Sequence, residues 1–212
     1  MLFLLTGDIQ TGKTRWLEKL VSELESQNVT SVGVIAPGIW ADRRNSNEPS
    51  DFVDANGFEK LGIENLLLPE KQRIRFALRR DIAEKEGALD SASQSNEAKL
   101  AWCIDDAAIV AVNSHFAQLR TGHMAQRASS AGALLVVDEL GQLELLRNRG
   151  LTEAVEMLED GPSSHAAHAL IVVREWLLPH VENRFEKWGD KRCILPDDEG
   201  MRCVQDAFGL CS

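Results

Sequence analysis

Apolar residues fill the chain from Met1 to Leu5 and give way at Thr6-Gly7. A short unbroken apolar run suits a strand buried on both faces. From Thr14 the period changes. Trp16, Leu17, Leu20, Val21 and Leu24 recur at helical spacing, and Asn28 can end the helix. Thr30 to Ala36 is a second apolar run, closed by Pro37-Gly38. Strand, helix, strand is a βαβ unit and implies a parallel sheet.

Residues 38–98 break this rhythm. Ala41 to Ser50 is polar and turn-rich, and so is the stretch 84–98. Between them, Arg73-Ile74-Arg75-Phe76-Ala77-Leu78-Arg79 alternates with period two, which predicts a strand with one apolar face. The region is expected to be an inserted antiparallel element with loops, decorating the sheet.

The rhythm resumes at Lys99. Leu100 to Ile104 is strand-like, and Asp105-Asp106 can cap a helix carrying Ile109, Val112, Phe116 and Leu119 on one face. Ala133 to Val137 is another buried strand. Leu151, Ala154, Val155 and Leu158 mark a helix that Gly161-Pro162 terminates. Ala169 to Val173 predicts a strand, Trp176 to Trp188 a helix with Pro179 near its start, Lys191 to Leu195 a short strand, and Asp197 to Phe208 a last helix. The fold class is therefore α/β, and all 212 residues are expected to form one domain with an insertion at about 38–98.

Composition narrows the class. An apolar share of 44% is enough to build a core, which excludes a disordered chain. The 33 Asp+Glu outnumber the 23 Lys+Arg, giving a net charge of −10. That balance argues against nonspecific binding to nucleic acid or to an anionic membrane, because phosphate affinity of that kind needs a basic surface. It leaves open a small anion held in a local pocket. The cysteines at 103, 193, 203 and 211 form no CxxC pair and no zinc spacing, so reduced thiols are expected. The opening apolar run is too short for a secretory signal or a membrane span. A cytoplasmic protein is the expectation.

The loop between the first strand and first helix carries the clearest chemistry. Gly7-Asp8-Ile9-Gln10-Thr11-Gly12-Lys13-Thr14 fits G-x-x-x-x-G-K-[ST], the Walker A motif or P-loop. A chain of this length and composition would match it by chance only about 0.004 times. Gly7 and Gly12 let the backbone curl so that N–H groups converge on phosphate oxygens. The helix starting near Lys13 aims its positive end at the same place. Lys13 would bridge the β- and γ-phosphates, and Thr14 would ligate Mg2+. Arg15 follows, and either contacts the α-phosphate or points into solvent.

Ala133-Leu-Leu-Val-Val-Asp138-Glu139 has the Walker B pattern, an apolar strand that delivers a carboxylate to the metal side of the P-loop. Asp138 would complete the metal site there, orienting water ligands of Mg2+. Glu139 is placed to orient and deprotonate an attacking water; the alternative is a solvated carboxylate at a strand end. A hydrolase of this kind would have one strand between the P-loop strand and the Walker B strand.

These residues resemble a known family. The P-loop near the N-terminus, together with Asp138-Glu139-Leu140-Gly141-Gln142-Leu143-Glu144, is similar to the THEP-type nucleoside-triphosphatases, which typically read D-E-I-G-K-M-E here. Asp138, Glu139, Gly141 and Glu144 match. The family's P-loop usually contains Pro-Gly and ends Gly-Lys-Thr-Thr, whereas this one has Gln10-Thr11 and ends Lys13-Thr14-Arg15. The resemblance covers 1–36 and 99–195. It implies a RecA-like P-loop NTPase fold, a three-layer sandwich on a mainly parallel sheet. It also implies Mg2+-dependent hydrolysis of several nucleoside triphosphates to diphosphate and phosphate.

Arg174, at the end of the strand Ala169–Val173, either stabilises charge in the transition state or is a surface residue. Lys71 to Arg80 has five basic residues in ten; a solvated strand face is the simpler reading. His165 and His168 lack a nearby third ligand for a metal. Asp138 to Gly141 has the D-x-x-G form of switch GTPases, but no guanine-reading N/T-K-x-D motif accompanies it. Two alternatives to the NTPase stay open. One is a nucleoside or nucleotide kinase, with Arg73, Arg75, Arg79 and Arg80 as phosphate clamps. The other is a regulatory ATPase acting on a protein partner.

Overall fold

The fold is taken from a computed structural model. It describes residues 1–8, 11–45, 52–54, 56–87, 93–97, 102–121, 132–163 and 166–210. The predicted βαβ start is present as β1 (Leu2–Leu5), α1 (Lys13–Ser26) and β2 (Thr30–Ile35). Antiparallel strands follow: β3 (Gly38–Asp42), β4 (Phe58–Leu68), β5 (Gln72–Arg79) and β6 (Trp102–Ile104). Between β5 and β6 lie α2 (Arg80–Lys85) and α3 (Gln94–Glu97). The remainder is α4 (Asp106–Arg120), β7 (Ala133–Leu140), α5 (Gln142–Arg147), α6 (Thr152–Asp160), β8 (His168–Val173), α7 (Leu178–Arg184), β9 (Lys191–Ile194) and α8 (Asp198–Ala207).

All the strands join one sheet in the order β6-β5-β4-β2-β7-β8-β1-β9, with β3 on β4. From β2 to β9 the pairing is parallel. As a hydrolase of this class would require, β8 lies between β1 and β7. Burial on both faces explains the unbroken apolar runs. Leu2, Leu4, Leu135, Val137, Ala169 and Ile171 face the core shared with Val112, Phe116, Val155 and Phe185. Phe3, Leu5, Leu134, Val136, Leu170 and Val172 face α1 and α8 through Leu17, Leu20, Met201 and Val204. The result is the expected three-layer arrangement.

The helix signals also hold. Asp105 Oδ1 accepts the Ala107 N–H at 2.8 Å, and Asp197 Oδ1 accepts that of Gly200 at 2.8 Å. The predicted helix 176–188 is instead α7 between two 3₁₀ turns, Glu175–Leu177 and Glu186–Trp188. The strand expected over 100–104 is described only for Trp102–Ile104, and Leu100 and Ala101 lie outside the described residues.

Two features of the antiparallel part differ from expectation. Pro37-Gly38 does not end the strand direction. Pro37 interrupts the ladder because it has no N–H, yet its carbonyl accepts the Glu64 N–H at 2.9 Å. From Gly38 the chain runs on as β3 along the edge of β4 that β2 also uses. The long strand β4 had no clear sequence signal. Its alternation is masked by Glu59 and Asn65, both buried, and by Gly62, where a side chain would strike β5. Glu59 can face inward because Arg43 and Arg79 pair with it at 2.6 and 2.7 Å. Burying that carboxylate without them would be costly.

Candidate functional site

The parallel strands β1, β7 and β8 end at one edge of the sheet, where ligands of open α/β folds bind. Gly7 and Gly12 take φ of +127° and +86°, left-handed values that glycine adopts cheaply. The second of these turns the chain into α1. This helix starts differently from α4 and α8. No side chain caps it, and its first turn holds no acid, whereas Asp105 and Asp197 cap the other two. The helix N-terminus is thus left with uncommitted N–H donors, the condition for holding an anion.

Lys13 folds back over this loop. Its Nζ donates to the carbonyls of Gly7 and Asp8 at 2.9 and 2.6 Å. The Thr11 hydroxyl also donates to the Asp8 carbonyl, at 2.9 Å. Asp8, Thr11 and Arg15 are exposed. Ile9 and Gln10, the remaining predicted loop residues, lie outside the described residues.

Asp138 sits at the centre of the site and is 3% exposed. Strand alternation puts it on the α1 face, following Leu134 and Val136. Its Oδ2 accepts the Thr14 hydroxyl at 3.0 Å and the Ala36 N–H at 3.0 Å. The second bond depends on the break at Pro37, since β2 pairs with β7 only as far as Val34 opposite Val137. Asp138 Oδ1 is buried with no partner among the described residues. Burial pushes the Asp138 carboxyl up to about 6; the Glu139 charge adds to this, while the Ala36 and Thr14 bonds and the Lys60 charge oppose it.

The two predicted metal ligands are therefore together, across 124 positions of sequence. A hydroxyl and a carboxylate are hard oxygen donors, and one carboxylate oxygen is unspent, which fits Mg2+ shared with phosphates. No cluster of three or more His, Cys, Asp or Glu suited to a metal ion occurs among the described residues. His168 packs on Phe208 at a ring separation of 4.8 Å, and His165 lies outside the described residues.

Glu139 follows directly and is exposed. Between Val137 and Leu140, β7 carries one residue more than β8 does between Ile171 and Val173. This bulge, and a φ of +65° at Glu139, turn the two carboxylates to different surroundings. A left-handed glutamate is strained, and such strain gathers at functional sites. Arg174 is exposed immediately beyond β8, at the same sheet edge.

Sequence reasoning missed the structural task of Glu144. It is buried, its Oε2 accepts the Gly141 N–H at 3.0 Å and its Oε1 accepts that of Leu151 at 3.2 Å. It makes the back-bonding half of a capping box at the start of α5, satisfying the Gly141 N–H, and ties the next turn to it. The signal was there, a glutamate three residues after the Gly141 cap. Burial raises the Glu144 pKa. Three of the arginines considered as kinase clamps are engaged by acids: Arg73 with Glu64, Arg75 with Glu86, and Arg79 with Glu59 and Asp81.

The chain was compared with known proteins. No protein-family model matches it, and neither does any curated protein sequence. Two solved structures do match. One is THEP1 from the hyperthermophile Aquifex aeolicus, 15% identical over 97% of this chain and 95% of that one, with a TM-score of 0.53. The other is a human cancer-related nucleoside triphosphatase, 18% identical over 97% of both chains, with a TM-score of 0.52. The chain has the THEP-type fold. The likeness extends over nearly the whole of each chain, so it takes in the antiparallel strands as well as the parallel core. No helix among the described residues is long and apolar enough to cross a membrane.

Proposed function

We propose that this protein is a Mg2+-dependent nucleoside triphosphatase that hydrolyses ATP, GTP or related nucleotides to diphosphate and phosphate. The observation that carries the reading is the pairing of Thr14 with Asp138, with a second, unpartnered Asp138 oxygen beside it. Its two structural neighbours, THEP1 and a human nucleoside triphosphatase, support it.

In this reading the backbone N–H groups of 7–14 and the start of α1 hold the phosphates. Lys13 exchanges its bonds to the Gly7 and Asp8 carbonyls for phosphate oxygens. Thr14 and Asp138 hold Mg2+, which when bound neutralises charge on the β- and γ-phosphates. Glu139 takes the proton from the attacking water. Its exposure and its place next to Asp138 suit that role. Arg174 stabilises charge as the terminal phosphoryl group leaves. The carboxylate partners of Arg73, Arg75 and Arg79 speak against the kinase alternative, which would need those side chains for an acceptor phosphate.

The test is phosphate release from a panel of nucleoside triphosphates with Mg2+ and no acceptor. Multiple turnovers support hydrolysis. Release that appears only when a nucleoside or nucleotide acceptor is added would replace this reading with the kinase.

A further inference from the structure

The antiparallel strands carry many basic side chains, and most of them are matched. Arg43, Arg44, Lys71, Arg73, Arg75 and Arg79 each form an ion pair with a carboxylate. Lys60, half-buried in the middle of them, forms none among the described residues.

Its position is specific. Lys60 stands opposite Trp40 in the β3–β4 register. Its Cε lies 3.0 Å from the point that a Cβ on Gly38 would occupy, and Trp40 Nε1 lies 2.5 Å from the same point. The bare backbone of Gly38 is what lets both side chains close over it. The Lys60 Nζ sits 5.2 Å from the centroid of the Trp102 ring, a cation–π contact. Gly38 is two residues beyond Ala36, whose N–H bonds Asp138. The lysine thus reaches from the antiparallel strands toward the end of β2, which lies beside the Walker B carboxylate at the end of β7.

We propose that Lys60 is the contribution of the antiparallel strands to the nucleotide site, a cation that meets the terminal phosphate and makes the site prefer a triphosphate to a diphosphate. The inference rests on the nucleotide-site reading above. The Trp102 ring holds the ammonium group without neutralising it. A carboxylate partner would have cancelled the charge, as it does at the neighbouring arginines. A lysine acts on phosphate as a point charge, and a γ-phosphate gives it more charge to meet than a β-phosphate does. It also gives the antiparallel strands a task in nucleotide binding.

Affinities for ADP and for a non-hydrolysable ATP analogue, both with Mg2+, decide the matter by calorimetry on wild type, K60Q, K60R and K13A. The expectation for K60Q is a loss of about tenfold for the triphosphate analogue with ADP little changed. K60R should keep most of the preference, since it keeps the charge. Equal affinities in K60Q and wild type, or an equal loss for both nucleotides, would overturn the role of Lys60 and leave the P-loop reading intact. K13A should weaken both nucleotides; if it weakens neither, the nucleotide-site reading itself fails, and Lys60 with it.

Discussion

The hydroxyl of Thr14 donates to the carboxylate of Asp138 at 3.0 Å, joining the first turn of α1 to the end of β7. The contact crosses from β1's loop to a strand two places away in the sheet. It brings together the two side chains proposed to hold Mg2+, and does so by strand order rather than by local sequence. The consequences can be measured.

Asp138 should give the metal-free protein a particular pH dependence. Its carboxyl is raised from 3.8 to about 6 by burial. A group that is harder to ionise when folded binds a proton on folding. Its contribution is fully present below about pH 4 and is lost as pH rises to about 6, after which it is constant. The shift corresponds to roughly 3 kcal/mol. Urea unfolding between pH 4 and 7 in the presence of a chelator should show this slope in wild type and not in Asp138→Asn. Comparing the two proteins removes the contribution of Glu144, which has the same sign. Parallel profiles would contradict the burial argument.

Glu139 separates function from stability. Its φ of +65° is a strained conformation for any residue with a side chain. Glu139→Gly should raise stability by about 1 kcal/mol while abolishing turnover. A thermal melt and a phosphate-release assay on the same preparation check both halves. A lowered melting temperature would show that the Glu139 side chain is held for packing.

Gly12 offers the complementary case. A Cβ there meets no atom of the described residues within 4 Å, so Gly12→Ala meets only the left-handed backbone at φ +86° among them. Stability should fall by about 1 kcal/mol. Nucleotide affinity should fall by much more, because the added methyl group stands where backbone and phosphate must approach closely. Unchanged affinity would count against the loop as the phosphate cradle.

Glu144 and Gly150 form a structural pair. Glu144→Ala strands the N–H groups of Gly141 and Leu151, both now satisfied by its carboxylate. Loss of about 2–4 kcal/mol is expected by urea unfolding. Gly150→Ala should cost a similar amount, since Gly150 has φ +73° and its new methyl group would run into Glu144 Oε1. If both variants were as stable as wild type, the Glu144 bonds to Gly141 and Leu151 would not be what fixes α5.

Much of the parallel core was legible because each strand there is buried on both faces and reads as an apolar run. The same held for α1, α4, α6 and α8, whose apolar spacing is a local signal, joined at α4 and α8 by an aspartate cap. The antiparallel strands were less legible. In β4, Glu59 is inward because two arginines distant in sequence reach it, and no local pattern announces that. The P-loop was legible as a motif, since its geometry is set by adjacent residues. The role of Ala36 was not, because it depends on Pro37 breaking a ladder next to a carboxylate 102 residues away. Lys60 gave no signal at all, since its contacts with Gly38 and Trp102 exist only once β3, β4 and β6 are assembled.

The measurement that bears most directly on the account is made on Glu139→Gln, with ATP binding and phosphate release followed in parallel in the presence of Mg2+. The account predicts binding close to that of wild type and phosphate release slower by 10²–10⁴-fold, on the order of the contribution of a general base. Turnover at the wild-type rate would contradict the assignment of Glu139 as the group that activates water.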